Sequence, residues 1–143
     1  MQLPKRQSNL PILFAGALLA ILAGCSGKPS TGELRSELQV QLDRLGMADV
    51  CEVDKVERVN GFEKDDKTYV ADVKYDLVFK KSLQEWARDL EKKAGSAQGG
   101  QFAAGLGVLA MKMQFGDFTK GQRTTQSAKL TLIKTENGWR IAN

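Results

Sequence analysis

An α+β fold is predicted for this chain by three patterns in its sequence. From Thr68 to Lys80, apolar and polar residues alternate strictly, as in a strand with one buried face. Between residues 34 and 45, leucines recur at helical spacing. Near the end of the chain, Asn137-Gly138 is a strong hairpin signal. A chain of 143 residues with these patterns is expected to form one domain of helices packed on an antiparallel sheet.

The first 24 residues have the three parts of a secretory signal peptide. Lys5 and Arg6 supply a positive start, an apolar run extends from Leu10 to Ile21, and small residues follow. A membrane-spanning helix needs about 20 apolar residues. This run is shorter, and it contains Pro11. We therefore predict a cleaved signal peptide at residues 1–24 rather than an anchoring helix.

This segment ends in Leu22-Ala23-Gly24-Cys25, which matches the lipobox pattern at every position. It resembles the signal peptides of bacterial lipoproteins, in which cleavage precedes the cysteine and the cysteine is acylated. The resemblance implies cleavage between Gly24 and Cys25, with a lipid on Cys25 that holds the protein to a membrane. Ser26 replaces the aspartate associated with inner-membrane retention, which implies the outer membrane, facing the periplasm.

Composition limits the functions that the chain can have. It contains 21 basic residues, 17 acidic residues and no histidine. Lys5 and Arg6 lie in the predicted signal peptide, so the mature protein would carry 19 basic residues, a balance that does not favour nucleic-acid binding. Without histidine, the chain lacks the commonest metal ligand and general base. We expect no cofactor, no metal site and no enzymatic activity.

The mature chain should begin with a short tether and a helix. Residues 25–31 are rich in small and helix-breaking residues, so they are expected to connect the lipid to the fold. Ser30 and Glu33 have the spacing of a capping box, which predicts a helix from about Gly32 to Leu45. Its predicted buried face consists of Leu34, Leu38, Leu42 and Leu45. The single α+β domain is assigned to residues 32–143.

Two strands are predicted next. Asp49 to Asn60 contains valines at a spacing that suits a helix or a strand, and their β-branching favours a strand. Asn60-Gly61 and the run from Glu63 to Lys67 are interpreted as the hairpin connection to the strand at Thr68 to Lys80. The face of that strand expected to be buried consists of Tyr69, Ala71, Val73, Tyr75, Leu77 and Phe79.

Two helices should follow. Ser82 and Glu85 repeat the capping-box spacing and predict a helix to about Lys93. The stretch from Gly95 to Gly100 is expected to be a mobile loop, because glycine loses much backbone entropy in a regular element. A helix at residues 101–114 is predicted to place its apolar stripe in the core, with an exposed partner or membrane surface as the alternative. That stripe consists of Phe102, Leu106, Leu109 and Met113.

The last quarter of the chain is predicted to be β. Phe118 to Lys120 is interpreted as the start of a strand, with a bulge or turn at Gly121-Gln122 and β-branched residues from Thr124 to Lys134. Asn137-Gly138 predicts a type I′ turn into a closing strand that contains Trp139. The predicted element order is therefore α-β-β-α-α-β-β.

This order of elements resembles small bacterial lipoproteins with a cystatin-like or NTF2-like (nuclear transport factor 2-like) fold. The resemblance rests on the leading helix, the long strands and the final hairpin from Lys134 to Ile141. It implies a curved antiparallel sheet that packs against the leading helix.

Aromatic residues are the candidates for a ligand pocket or a partner surface. They are spaced as core residues would be, so core packing is the competing interpretation. The six candidates are Tyr69, Tyr75, Phe79, Trp86, Phe102 and Trp139.

Cys51 and a pair of aspartates are weaker candidates. Cys51 has no histidine to activate it, and Glu52 and Asp54 are expected to raise its pKa, so packing is favoured over a reactive thiol. Asp72 and Asp76 share the polar face of one strand, where solvation is favoured over cation binding.

Taken together, these patterns predict a lipid-anchored, non-enzymatic lipoprotein that binds a protein in the periplasm. Its role would be to hold a partner or to neutralise a toxin. The alternative is a small-molecule or lipid carrier that uses the concave face of the sheet.

Overall fold

The computed structural model describes residues 27–142, which form three helices and four strands. The elements are α1 (Thr31–Arg44), β1 (Cys51–Asp65), β2 (Thr68–Phe79), α2 (Leu83–Ala94), α3 (Gln98–Phe115), β3 (Arg123–Thr135) and β4 (Gly138–Ile141). The strands form one antiparallel sheet in the order β1-β2-β3-β4. The α+β class and the predicted order of elements are confirmed. The predicted signal peptide and Cys25 lie outside the described residues.

Helix α1 begins with the predicted capping box. The Ser30 hydroxyl accepts a hydrogen bond from the Glu33 N–H (3.2 Å), and the Glu33 carboxylate accepts one from the Ser30 N–H (2.8 Å). Leu34, Leu38 and Leu42 are buried against the sheet, as predicted. Leu45 is not on this buried face: it lies just beyond the helix and is 71% exposed.

Side chains of α1 also bind the outer edges of the two terminal strands. At the β1 edge, the Val53 N–H donates to Gln39 (2.9 Å), and Arg35 donates to the Val53 carbonyl (3.0 Å). At the β4 edge, the Ile141 N–H donates to the buried carboxylate of Glu37 (3.0 Å). Helix α1 therefore satisfies backbone groups that would otherwise be open to strand pairing.

The hairpin between β1 and β2 turns inside the predicted run from Glu63 to Lys67 and not at Asn60-Gly61. Asn60 and Gly61 lie inside β1, where they pair with Asp72 and Ala71, and the connection is Asp66-Lys67. Gly61 is required by packing: a Cβ atom there would lie 2.5 Å from the Tyr69 hydroxyl. The hairpin interpretation of Asn60-Gly61 was wrong because this glycine makes room for a ring instead of a turn.

Strand β2 has the predicted alternation. Its inward residues are buried, apart from a half-buried Tyr75. They pack with the leucines of α1 and with Leu130, Leu132 and Trp139 from the other strands. The inner face of the sheet is therefore filled by side chains.

Two details of the last quarter differ from the prediction. Phe118 to Lys120 is not a strand: the chain turns at residues 120–121 before β3 begins. The Phe118 ring is buried and stacks on Phe79, with ring centroids 4.0 Å apart. The final turn is formed by Glu136-Asn137, and the positive φ falls on Gly138 (94°). The hairpin is confirmed, but the predicted type I′ turn is wrong, because that turn needs a positive φ at both central residues and neither Glu136 nor Asn137 has one.

Helices α2 and α3 form a helical hairpin. Ser82 and Glu85 make the predicted capping box. The connection is only Gly95 to Ala97, so Gly99 and Gly100 belong to α3 and not to a loop. Close helix contact explains the error: a Cβ at Gly100 would lie 2.8 Å from the Ala94 carbonyl oxygen. Between residues 27 and 142, no helix combines the length and apolarity needed to cross a bilayer.

Candidate functional site

The described domain has two distinct ends. The turn end contains both strand connections, at residues 66–67 and 136–137, and the first described residues of the chain. There Pro29 is buried and its carbonyl accepts a hydrogen bond from Arg58 (2.6 Å). The helical end contains α2, α3 and the C-terminus of α1. Helix α1 separates the two ends by about 20 Å at 1.5 Å per residue.

Three phenylalanines fix the helical hairpin to the sheet. Phe79, at the end of β2, stacks on Phe118 and meets Phe115 edge-on with ring centroids 5.5 Å apart. The Leu83 N–H donates to the Phe118 carbonyl (3.1 Å), which joins the start of α2 to the segment after α3. Because both helices are held at this base, the surface that they form is defined by the fold.

A groove of about 700 Å³ runs between α2, α3 and the segment that follows α1; we call it the helical groove. Its floor consists of the buried side chains of Trp86, Ala104 and Met111. Its rim includes the exposed residues Leu45 and Lys93. A buried apolar floor with an accessible rim is typical of a surface that receives apolar side chains from a ligand.

One ion pair stands beside the groove. The Lys93 ammonium and the Asp49 carboxylate are 2.8 Å apart, and both side chains are exposed. The hydrogen bond from Lys93 lowers the pKa of Asp49 below its ordinary value. The pair connects α2 with the residues before β1 and marks the rim of the groove, but an ion pair this exposed adds little stability.

A row of large apolar side chains lies on another side of α3; we call it the α3 ridge. It consists of Phe102 (70% exposed), Leu106 (51%), Leu109 (53%) and Met113 (80%). These residues were predicted to be core, and that prediction was wrong. The buried or half-buried stripe of α3 is instead Ala104, Val108, Met111 and Phe115.

The six aromatic candidates do not form one pocket. Tyr69 and Trp139 meet edge-on at the turn end, with ring centroids 6.1 Å apart. Phe79 is core at the helical end. Only Trp86 lines the helical groove, and Phe102 stands on the α3 ridge. The remaining candidate, Tyr75, is half-buried, and burial raises the pKa of its hydroxyl.

Cys51 is buried at the start of β1. Its thiol lies 3.8 Å from the Met47 carbonyl oxygen, and burial raises its pKa to about 11 while Lys80 opposes the shift. The expected direction is found, but the cause is burial rather than the neighbouring acidic residues. A thiol that stays protonated is a poor nucleophile.

Asp72 and Asp76 are engaged across the outer face of the sheet. Asp72 lies 3.7 Å from the Lys129 ammonium. Asp76 accepts a hydrogen bond from the Thr125 hydroxyl (2.8 Å) and lies 3.8 Å from Arg123. Within residues 27–142, no group of cysteine, aspartate and glutamate side chains is arranged to hold a metal ion.

The sequence reasoning missed most residues of the helical groove. Leu45 was expected in the core, and Met47, Lys93 and Met111 were not singled out. No motif marks these positions. The available signal was the second apolar stripe of α3, which includes Met111 and has the same 4-3-4 spacing as the ridge.

The chain matches no family model, no curated protein and no solved structure at a significant level. The groove and the ridge must therefore be interpreted from their own geometry.

Proposed function

We propose that this chain is a bacterial lipoprotein, held in the cell envelope by a lipid on Cys25, that binds a protein partner in its helical groove. The observation that carries the proposal is the groove itself, with a buried apolar floor and a 71% exposed leucine on its rim. The partner-holding and toxin-neutralising roles expected from the sequence both require such a surface.

A protein partner suits the shape of the groove. It is open along its length and bounded by two helices, which is the geometry in which a helix or an extended segment inserts a row of side chains. Trp86 and Met111 are already largely buried and form the apolar floor on which such side chains would pack. Lys93 at the rim supplies a polar contact next to the apolar floor.

The position of the groove is consistent with an anchored protein. Cys25 is four residues before Pro29, so a lipid on Cys25 lies within about 14 Å of the turn end at 3.5 Å per residue. The groove is at the other end of α1. A partner in the periplasm would then meet the groove without competing with the membrane that holds the lipid.

The available side chains support the proposal of a non-enzymatic role. The sequence has no histidine, and the Cys51 thiol is buried with a raised pKa. We retain the cystatin-like or NTF2-like resemblance as part of the proposal, supported by the leading helix and the antiparallel sheet.

A carrier of lipid or of an apolar small molecule is the second candidate function. Its expected site was the inner face of the sheet, but side chains fill that face. The groove volume of about 700 Å³ supports a different location for such a ligand, since ligand pockets span about 300–1,000 Å³. Native mass spectrometry of the purified protein distinguishes the candidates: a co-purified small molecule favours the carrier.

The test of the leading candidate is a groove variant with a matched control. Leu45→Asp places a charge on the exposed groove rim, and Val59→Asp places one on an exposed residue of β1 that does not line the groove. Full-length protein is purified from solubilised envelopes, and the stoichiometry of co-purified protein is measured. We expect a stoichiometric partner with wild type and Val59→Asp that is lost with Leu45→Asp. Equal recovery with both variants would contradict binding in the groove.

A further inference from the structure

The α3 ridge is a different surface from the helical groove, and its exposed apolar side chains would be covered by a different molecule. Six residues of α3 line the groove, and none of them is one of the four ridge residues: Gly100, Ala103, Ala104, Gly107, Met111 and Gln114. We infer that the ridge is the contact surface between two copies of this chain, which pair with their α3 helices antiparallel. This contact goes beyond the proposed function, because it leaves the groove open to a partner.

The spacing of the ridge is that of a helix-pairing seam. Its four residues are separated by four, three and four positions, the alternation with which one helix packs along another. The residues that flank the seam include Gly105 and Ala110, which are small and exposed, and Ala103, which also lines the edge of the helical groove. A second helix is therefore able to approach closely over the whole seam.

The ridge is matched to itself when the second helix runs antiparallel. A two-fold axis between Leu106 and Leu109 places each of these leucines against the other in the partner copy. The same axis places Phe102 against Met113, a pairing of an aromatic ring with a thioether that is favourable by itself. Each large side chain thus meets a large apolar side chain.

Charge favours a second copy over other occupants. The only charged residue of α3 is Lys112, and it pairs with Asp117 of its own chain at 3.1 Å. A different protein would normally be selected by charges beside the seam, and those positions are largely alanine and glycine here. A membrane surface is favoured by a cationic face on the helix, which α3 lacks.

The available area predicts a weak dimer. From their exposed fractions, the four side chains offer on the order of 500 Å² per copy, if a large side chain presents about 200 Å². A pair of copies would bury about 1,000 Å², close to the lower limit for a specific interface. Lipid anchoring in one membrane would raise the local concentration and thereby favour pairing.

Disulfide trapping tests this arrangement. Phe102→Cys and Met113→Cys are introduced singly and together into the full-length chain, and membranes from expressing cells are oxidised with copper phenanthroline. We expect a disulfide-linked dimer from the double variant and little from either single variant. Phe102 and Met113 are eleven residues apart, so in the antiparallel pair residue 102 of one copy lies about 16 Å along the helix from residue 102 of the other copy. The same distance separates the two copies of residue 113, so a single cysteine has no partner within reach.

Further variants give outcomes that either support or overturn the antiparallel dimer. Adding Leu109→Asp to the double variant should reduce the linked dimer to the level of the single variants, while adding Val59→Asp should not. Single variants that link as efficiently as the double variant would indicate parallel pairing or random collision and would overturn it. Absence of linkage in all variants would overturn it as well. Partner recovery in the groove test is unaffected by either result, so failure of this inference is distinct from failure of the proposed function.

Discussion

At the residue scale, the environment of Cys51 decides its chemistry. The thiol is fully buried, and its pKa is raised to about 11 from an ordinary value of 9.0. At a pH between these two pKa values, the Cys51 thiol is deprotonated in the unfolded chain and still protonated in the folded chain. Because the unfolded state then binds fewer protons, the free energy of unfolding must fall as pH rises through this window.

This linkage is measurable by urea denaturation. From pH 8.5 to pH 10.5, wild type should lose more stability than Cys51→Ala, since the variant lacks this titration and shares all others. The quantity to compare is the slope of unfolding free energy against pH in the two proteins. Parallel slopes would mean that the thiol titrates similarly in the folded and unfolded states.

Gly61 shows how a turn signal is misinterpreted when packing uses the same residue. A glycine after asparagine predicts a hairpin, but this one faces the Tyr69 ring across the strand pair. The ring is 2% exposed, so it has little freedom to move away from an added methyl group. The information that distinguishes the two uses lies in Tyr69, eight residues later in the chain, and not in the local dipeptide.

Gly61→Ala should therefore destabilise the fold by about 1–3 kcal/mol through overpacking. Gly105→Ala is the matched control, because a Cβ atom at Gly105 would have no neighbour within 4 Å and alanine favours a helix. The control should be neutral or stabilising. Equal midpoints of chemical denaturation for the two variants would contradict the role assigned to Gly61.

At the element scale, Glu37 joins α1 to β4. Its side chain is only 7% exposed, and it accepts hydrogen bonds from the Ile141 N–H and from Arg140 (2.7 Å). A helical pattern marks this position as polar and solvent-facing. Only the position of β4 beside α1 makes it a buried link, which no local periodicity predicts.

Removal of this carboxylate should cost about 1–3 kcal/mol, because the part-buried Ile141 N–H loses its acceptor. Glu37→Ala is compared with Ser36→Ala, which alters an exposed residue on the same helix. Urea denaturation measures both. A loss for Glu37→Ala no larger than that of the control would show that the link adds no stability.

The orientation of α3 was the largest error of the sequence-based prediction, and its cause is physical. Nearly all residues of α3 are apolar or small, and two stripes with identical spacing compete for the core. Periodicity identifies a helix here but cannot choose between the stripes. The choice depends on contact with α2 and with Phe79, at a distance in sequence that a local pattern does not include.

Two neighbouring methionines test the observed orientation. Met111 is 6% exposed and Met113 is 80% exposed. Met111→Ala should cost about 2–5 kcal/mol, as for a core cavity, whereas Met113→Ala should stay within about 0.5 kcal/mol of wild type. Thermal denaturation of the two variants provides the comparison. The reverse order of stabilities would contradict the assignment of groove and ridge.

At the scale of the whole molecule, the patterns with strong local causes were predicted well. Both capping boxes, the alternation of β2 and the order of elements follow from local geometry, and the structure contains them. The helical groove was not predicted, because it is formed where the end of α1 meets two helices that are distant in sequence. The lipid anchor remains a prediction from the sequence.

Maturation tests the anchor independently of the fold. Cys25→Ser should leave a precursor of higher mass that carries no lipid, because the lipobox cysteine is the expected acylation site. Intact-mass spectrometry of protein from membrane fractions distinguishes precursor from mature chain. Normal processing of the variant would contradict the lipoprotein assignment.

Protein binding in the helical groove is tested most directly by photo-cross-linking in living cells. A photoreactive amino acid at Leu45, on the groove rim, is compared with one at Val59, which is 54% exposed on β1. We expect a cross-linked band of defined mass, containing one partner protein, from Leu45 and not from Val59. Equal labelling from both positions, or none from Leu45, would contradict a protein-binding role for the helical groove.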